Sequence, residues 1–576
     1  MKGYGLTVLG GSLVERFDVE VLGIVPNSLG RSRILVRVSG LGLEKTGILA
    51  GMSGSPVYLD GKLAGAVAAT WGFAKEPIGA VTPIESMLAI EGGNAAAGAD
   101  SSARSTSSEA GFRAFAETLA LPEEERLAAL RKLVDARPRP PARAQASLLA
   151  PMATGFPADT LGRWGADLAR LGIPISLASG ALPALPGIAV QANERARPAA
   201  PIAPGSAVTV LLIDGDLQLG ATGTVTRVDS DGRFLAFGHP FLGAGRLELP
   251  VAPAEIVAVF PSAMLSFKVA SALAPAYRLT HDRDSGVAGR TDRPAGLVPV
   301  SFRLESGGAP ARNLSWGVAR ESALFPILVA ISMDAAFTTL DPTPVERTLR
   351  LRVAVATKAG PFVYADQMTG PRAKELALMT ANVLTGLVAQ NEYEDPGISG
   401  VDISIASAPG EKRLRIVNAA LSTRKAAPGD ILRVTVRLAD RRGAEETRVL
   451  SLTVPKETPE GRAIVVVGDG NAASSARLAA QPAEPRTLAG LRAALDRLVP
   501  ADRLAALLLV PARGTTTGGG TLSAVPPSLA MVLSEGGGAD ARALVPVRIL
   551  AEEILTLDRP ASGSVRLEVE VERPRT

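Results

Sequence analysis

The sequence predicts a mainly β chain with inserted helices: two β-rich lobes, then a C-terminal β-sandwich and a small α+β end module. Three observations predict this. Runs with period-two alternation recur over residues 1–90, 206–305 and 400–470. Helical periodicity is confined to a few stretches between and after them. Apolar residues make up 47% of the 576, enough to fill several cores and to exclude global disorder.

In chain order, Val14, Phe17, Val19 and Val21 alternate, and Arg33 to Val38 follows as a second strand. Val57–Leu59, Asp60-Gly61 and Lys62–Val67 form a hairpin with an Asp-Gly turn. Ile84 to Ile90 closes this unit as a short helix. Residues 91–110 are Gly/Ala/Ser-rich and read as a linker. Phe112 to Asp135 is helical, with Pro122 and three Glu marking a second helix start. Arg137 to Pro141 is a break, residues 155–172 hold another helix, and 173–205 form a Pro-rich connection. Strands return at Val208–Ile213, Gly220–Val228 and Arg233–Phe237. Lys374 to Gln390 is a helix, Ile431 to Leu438 alternates as a sandwich strand, and Leu488 to Leu498 is a last helix before strands ending at Val565–Val571. The domains expected are therefore 1–90, 91–205, 206–330, 331–398, 399–475 and 476–576.

Composition narrows the chemistry. Without Cys there is no disulfide, thiol nucleophile or thiolate metal site, and two His cannot build a three-His site. No carboxylate cluster suggests a metal, so no metal and no cofactor are expected. A net charge of +4, carried by scattered Arg, argues against nucleic acid as a partner. No apolar run reaches transmembrane length; the closest, Ala323 to Met333, contains Pro326. Met1-Lys2 leads straight into a strand pattern, so no export signal is read there. The sequence leaves the oligomeric state open.

Gly51-Met52-Ser53-Gly54-Ser55-Pro56 carries the strongest chemical signal. A Ser flanked by Gly on a tight turn can expose its hydroxyl, and the N–H groups of Gly51 and Ser53 can converge on an oxyanion. A hairpin follows rather than a helix, which excludes the α/β-hydrolase elbow. The order of turn, strand, turn, strand, loop and closing helix resembles the nucleophile barrel of chymotrypsin-like serine peptidases. That resemblance implies two chymotrypsin-like β-barrel lobes. It also implies that Ala68, Ala69 and Thr70 pair with a substrate strand beside Gly79, and that Gly47, Ala69 and Gly79 wall a pocket for small or apolar residues.

Residues 13–88 are more closely similar to the SpoIVB-type serine peptidase family. The run comprises Val14–Val21, Leu43–Ile48, Gly51–Pro56, Asp60–Val67 and Thr82–Leu88. Gly220–Thr226 and Leu235-Ala236-Phe237-Gly238-His239-Pro240 supply a second half. The resemblance implies a serine endopeptidase acting on protein or peptide outside the cytoplasm, with Ser53 as nucleophile and His239 as general base. The Ser lobe here precedes the His lobe, the reverse of the family order, so the chain reads as permuted. Where the family carries its Asp, this chain has Ser39. Asp282 is the substitute expected to orient His239, with Asp229, Asp231 and Glu44 as alternatives. The family's usual PDZ segment is not evident. His281, among Asp282, Arg283 and Asp284, reads as a solvated or salt-bridged loop residue.

Other motifs carry less. Ile464 to Ala473 mimics a dinucleotide fingerprint but is expected to be a strand and turn. Gly518-Gly519-Gly520 lacks the ending of a P-loop, and Asn313-Leu314-Ser315 is a sequon by pattern only. Glu123–Glu125, Glu552, Glu553 and Asp558 read as solvated faces. The alternative to an enzyme is a non-catalytic secreted or surface scaffold, motivated by the missing Asp and the large remainder of the chain.

Overall fold

The computed structural model describes residues 1–26, 32–91, 108–121, 123–137, 148–171, 201–342, 346–483, 485–517, 520–522 and 544–572. Most of the expected linker, of the Pro-rich connection and of the Gly518–Gly520 loop lies outside them. The chain divides into two compact units. The first contains residues 1–104, 138–302 and 314–342 and holds two closed antiparallel barrels; the second contains 105–137, 303–313 and 343–576.

The first barrel is built from β1 (Lys2–Val8), β2 (Val14–Val25), β3 (Arg33–Ser39), β4 (Pro56–Leu59), β5 (Lys62–Thr70) and β6 (Ile78–Pro83), in the order β1-β2-β3-β6-β5-β4. Alternation puts Phe17, Val19, Val36, Val38, Val57, Val67 and Val81 inside, while Glu15, Glu20 and Arg37 face out or lie at the rim. The β4–β5 hairpin turns at Asp60 (φ 48°) and Gly61 (φ 76°), the paired positive φ values whose twist matches the strands it joins. The short helix Ile84–Leu88 follows β6 as expected.

Next comes β7 (Ala150–Thr154), then β8 (Ala207–Gly215), β9 (Gln218–Val228), β10 (Arg233–Ala236), β11 (Gly245–Phe260), β12 (Phe267–Ala272), β13 (Tyr277–Arg283) and β14 (Gly286–Arg290). The second barrel runs β8-β9-β10-β14-β13-β11 and closes through Val251–Pro253 of β11 on Val208–Val210 of β8. The long β11 thus serves three partners, pairing β13, β8 and then β12 along its length. Strand β7 pairs along β9, from Ala150 opposite Thr222 to Thr154 opposite Gln218.

Two longer helices among the described residues belong to this unit. Ala158–Arg170 is amphipathic and buries Leu161, Trp164 and Leu168. Phe325–Leu340 takes up the apolar run noted in the sequence and is buried on nearly every face. Its one acid, Asp334, is buried against Arg163 Nη1 at 2.6 Å and accepts from Trp164 Nε1 at 2.9 Å. Such pairing offsets the cost of burying a carboxylate. No described helix is long and apolar enough to cross a membrane.

In the second unit, strands Arg347–Ala356, Phe362–Gly370 and Gly400–Pro409 form one antiparallel set with helix Ala373–Ala389 against it. Helices Ser108–Ala120 and Glu123–Asp135 belong to this unit rather than to a separate insertion. The sandwich is larger than a module ending at 475. Its first sheet is Glu445–Thr453, Ile431–Ala439, Leu414–Leu421 and Ala561–Ser562. Its second carries Gly461–Asp469 between Arg503–Thr517 and Ser564–Val571. One apolar core joins Leu432, Val434 and Leu450 to Val465, Leu504 and Val569.

Gly461–Asp469 does lead into a helix, Gly470–Ala480, capped by Asp469, whose carboxylate accepts from Ala472 N–H at 2.8 Å. The next strand returns antiparallel, so the parallel crossover of a dinucleotide site is not formed. Two acids read as solvated are partly buried instead. Glu123 pairs with Arg413, and burial pushes its carboxyl up. Glu552 pairs with Arg477 at 2.9 Å.

Candidate active site

The Gly51–Pro56 turn leads into β4 and is held from three sides. Gly54 N–H donates to Val67 O at 2.7 Å, and Val67 N–H returns to Ser55 O at 3.0 Å. Ala50 bridges to the stretch before β12, donating to Ser266 O at 2.8 Å and accepting from Lys268 N–H at 3.0 Å. The second barrel grips the turn through β9. Thr224 N–H donates to Ser53 O at 2.7 Å, Thr224 Oγ1 to Gly51 O at 2.9 Å, and Thr226 Oγ1 to Gly54 O at 2.8 Å. At Gly54 (φ 91°) a Cβ would lie 1.9 Å from Thr224 O and 2.4 Å from Phe237 N, so only glycine permits this approach.

The Phe237-Gly238-His239 turn follows β10 and meets the same wall. Phe237 N–H donates to Thr224 O at 3.3 Å, and Thr82 Oγ1 of the first barrel donates to Gly238 O at 2.5 Å. Phe237 takes φ 73°, a left-handed conformation that costs energy for an aromatic residue; its ring packs where Gly223 has no side chain. Two segments about 180 positions apart in the sequence are thereby brought together on Thr224.

Ser53 is fully buried, and its Oγ has no hydrogen-bond partner among the described residues. His239 is 6% exposed. Its Nδ1 lies 2.7 Å from Pro240 O, an acceptor only, so Nδ1 carries the proton in the neutral ring. Nε2 is left with a free lone pair and is buried without a partner. Neither Ser53 Oγ nor His239 Nε2 makes a hydrogen bond among the described residues, although the two turns meet on Thr224. Burial pushes the His239 pKa down to about 4, and Arg33 adds to this by repelling a charged ring. Arg33 also donates to Thr82 Oγ1.

Asp282 does not orient the His239 ring as expected. It sits on β13, and its carboxylate accepts from the N–H groups of Phe241, Leu242, Gly243 and Ala244 at 2.6–3.3 Å. It holds the loop after His239, while a backbone carbonyl holds the ring. Burial raises its pKa against the pull of those four bonds. Among the other acids proposed, Asp229 pairs with Arg227 at 2.5 Å, Asp231 with Arg290 at 3.2 Å, and Glu44 accepts from Gly40 N–H at 2.5 Å. His281 lies on β13, half-exposed, 3.9 Å from Glu91.

The expected oxyanion donors are at the turn, but Gly51 N–H (φ 95°) is occupied, donating to Leu148 O at 2.6 Å. Ala68, Ala69 and Thr70 run past the last β4 pair, Pro56 with Ala66, so no described strand covers that edge; β6 covers the other, with Ala69 opposite Ala80 and Thr70 opposite Gly79. The pocket wall at Gly79 is filled by Ile48, whose Cδ1 would lie 2.4 Å from a Cβ there.

Residues 3–88 match the family SpoIVB peptidase S55. The matched segment is the first barrel with Ser53 and ends well before His239. No curated protein and no solved structure matches the chain.

Sequence reasoning missed Leu148, Pro240 O, Arg33 and Lys268. Lys268 is fully buried, its stem packed on Gly51 and its Nζ donating to Thr7 Oγ1 at 2.7 Å; burial pushes its pKa down to about 7. One signal was available: Thr222, Thr224 and Thr226 put three hydroxyls on one face of a fully buried strand, which demands partners.

Proposed function

We propose that the chain is a serine endopeptidase of the SpoIVB type, working through a Ser53–His239 dyad assembled from two barrels in the order Ser lobe, then His lobe. His239 Nε2 takes the Ser53 proton as Oγ attacks the peptide carbonyl carbon, and the oxyanion is met by the N–H groups of Gly51 and Ser53. The proton then passes from Nε2 to the leaving amine nitrogen; water, deprotonated by Nε2, attacks the acyl carbon, and Nε2 returns that proton to Ser53 Oγ as the acid departs. Pro240 O keeps the ring in the required tautomer, the task an Asp performs in a triad. The uncovered edge at Ala68–Thr70 is where an extended substrate would add as a strand.

The observation that carries this reading is the meeting of the Ser53 and His239 turns on Thr224, with Oγ and Nε2 both kept free of other partners. The family match over the Ser-bearing barrel supports it. Cleavage of casein and of a peptide panel should fall by roughly 10³-fold or more in Ser53→Ala and His239→Ala. Full activity in either variant would end the assignment.

A second reading, a non-catalytic binding scaffold, draws on the enclosure of both residues and the lack of a carboxylate on His239. It requires Ser53 to stay unreactive toward a fluorophosphonate in every folded variant.

A further inference from the structure

Leu148 occupies one backbone donor of the proposed site. Its carbonyl accepts from Gly51 N–H at 2.6 Å, the donor that the proposed mechanism gives to the oxyanion. Its side chain is 2% exposed and belongs to the apolar cluster of the first barrel with Leu43, Ile48, Leu49 and Met52. Its backbone lies two residues before β7, whose pairing with β9 begins at Ala150 opposite Thr222. A carbonyl on the oxyanion donor and an apolar side chain beside the nucleophile turn are the two contacts a scissile residue makes. The complete burial of Ser53 fits a site already filled.

We propose that the Leu148 segment occupies the acyl position of the site as a built-in substrate mimic, and that the substrates are polypeptides with a leucine-sized aliphatic residue on the acyl side of the cleaved bond. This rests on the peptidase reading and deepens it. The site is then open only for the fraction of time that Leu148 is displaced, and its apparent reactivity is reduced by that fraction.

The test uses the full chain. Ser53 modification by a fluorophosphonate is followed by peptide mapping in the wild type, Leu148→Ala and Leu148→Gly. Short peptide boronic acids ending in boroleucine, boroalanine or boroarginine compete for the site. Emptying the position should speed Ser53 labelling by about tenfold or more, and boroleucine should protect Ser53 best. Boroleucine should also raise the Tm of Leu148→Gly more than that of the wild type, because it refills the vacated space. Should the glycine variant fail to fold, the alanine variant and the boronate ranking on the wild type carry the same test. Equal labelling rates in wild type and folded variants would overturn this proposal while leaving the peptidase reading intact, as would protection by boroarginine equal to that by boroleucine. Folded variants unlabelled at Ser53 would overturn both.

Discussion

His239 decides the chemistry at the scale of single residues. A ring held neutral by burial, with Nδ1–H on a carbonyl, is base-competent at any pH above its pKa, here about 4. The acid limb of kcat/KM should therefore lie near pH 4–5 instead of near the unperturbed value of about 6.5. Replacing Arg33 with Gln removes a repelling cation and should move that limb upward. A wild-type limb at 6.5 would mean that the working ring is solvated. The same shift acts on stability. Between about 4 and 6.5 the unfolded chain binds the proton and the folded chain does not, so stability from this group falls as pH drops through that window, by on the order of 3 kcal/mol in total.

Among the elements, the loop between β10 and β11 is the most dependent on one side chain. Four consecutive N–H groups converge on Asp282, and no second acceptor is offered to them among the described residues. Asp282→Ala should cost about 2–4 kcal/mol in urea unfolding, and Asp282→Asn, which keeps one acceptor oxygen, distinctly less. A loss below about 0.5 kcal/mol in the alanine variant would show that the loop finds other partners. The strands themselves were legible, because alternation at Val14–Val21 or Ile431–Leu438 reports directly which face is buried. The Asp60-Gly61 turn was legible for the same local reason. The role of Asp282 was not, because a carboxylate bonded to backbone N–H groups some 40 residues away leaves no mark in side-chain patterning.

For the whole molecule, two β-rich lobes were foreseeable from the recurrence of strand patterns and their barrel form from the resemblance; the pairing that closes the second was not. It depends on β11 turning from β13 to β8 to β12, and the sandwich likewise depends on Ser564–Val571 returning to Gly461–Asp469. Such pairings between distant segments are set by tertiary packing. The candidate site divides in the same way. Gly51–Pro56 was legible as a Gly-flanked Ser turn and Leu235–Pro240 through the family resemblance, whereas Leu148 acts through a backbone carbonyl that any residue possesses. What unites these scales is the claim that two barrels, carrying Ser53 and His239 in reversed order, form one nucleophilic site. The most direct measurement is fluorophosphonate modification mapped to the residue, in the wild type, Leu148→Gly and His239→Ala. Adduct is expected on Ser53 and not on Ser55, faster in Leu148→Gly and lost in His239→Ala. Folded protein with no adduct on Ser53 in any variant, or labelling that persists undiminished without His239, would contradict it.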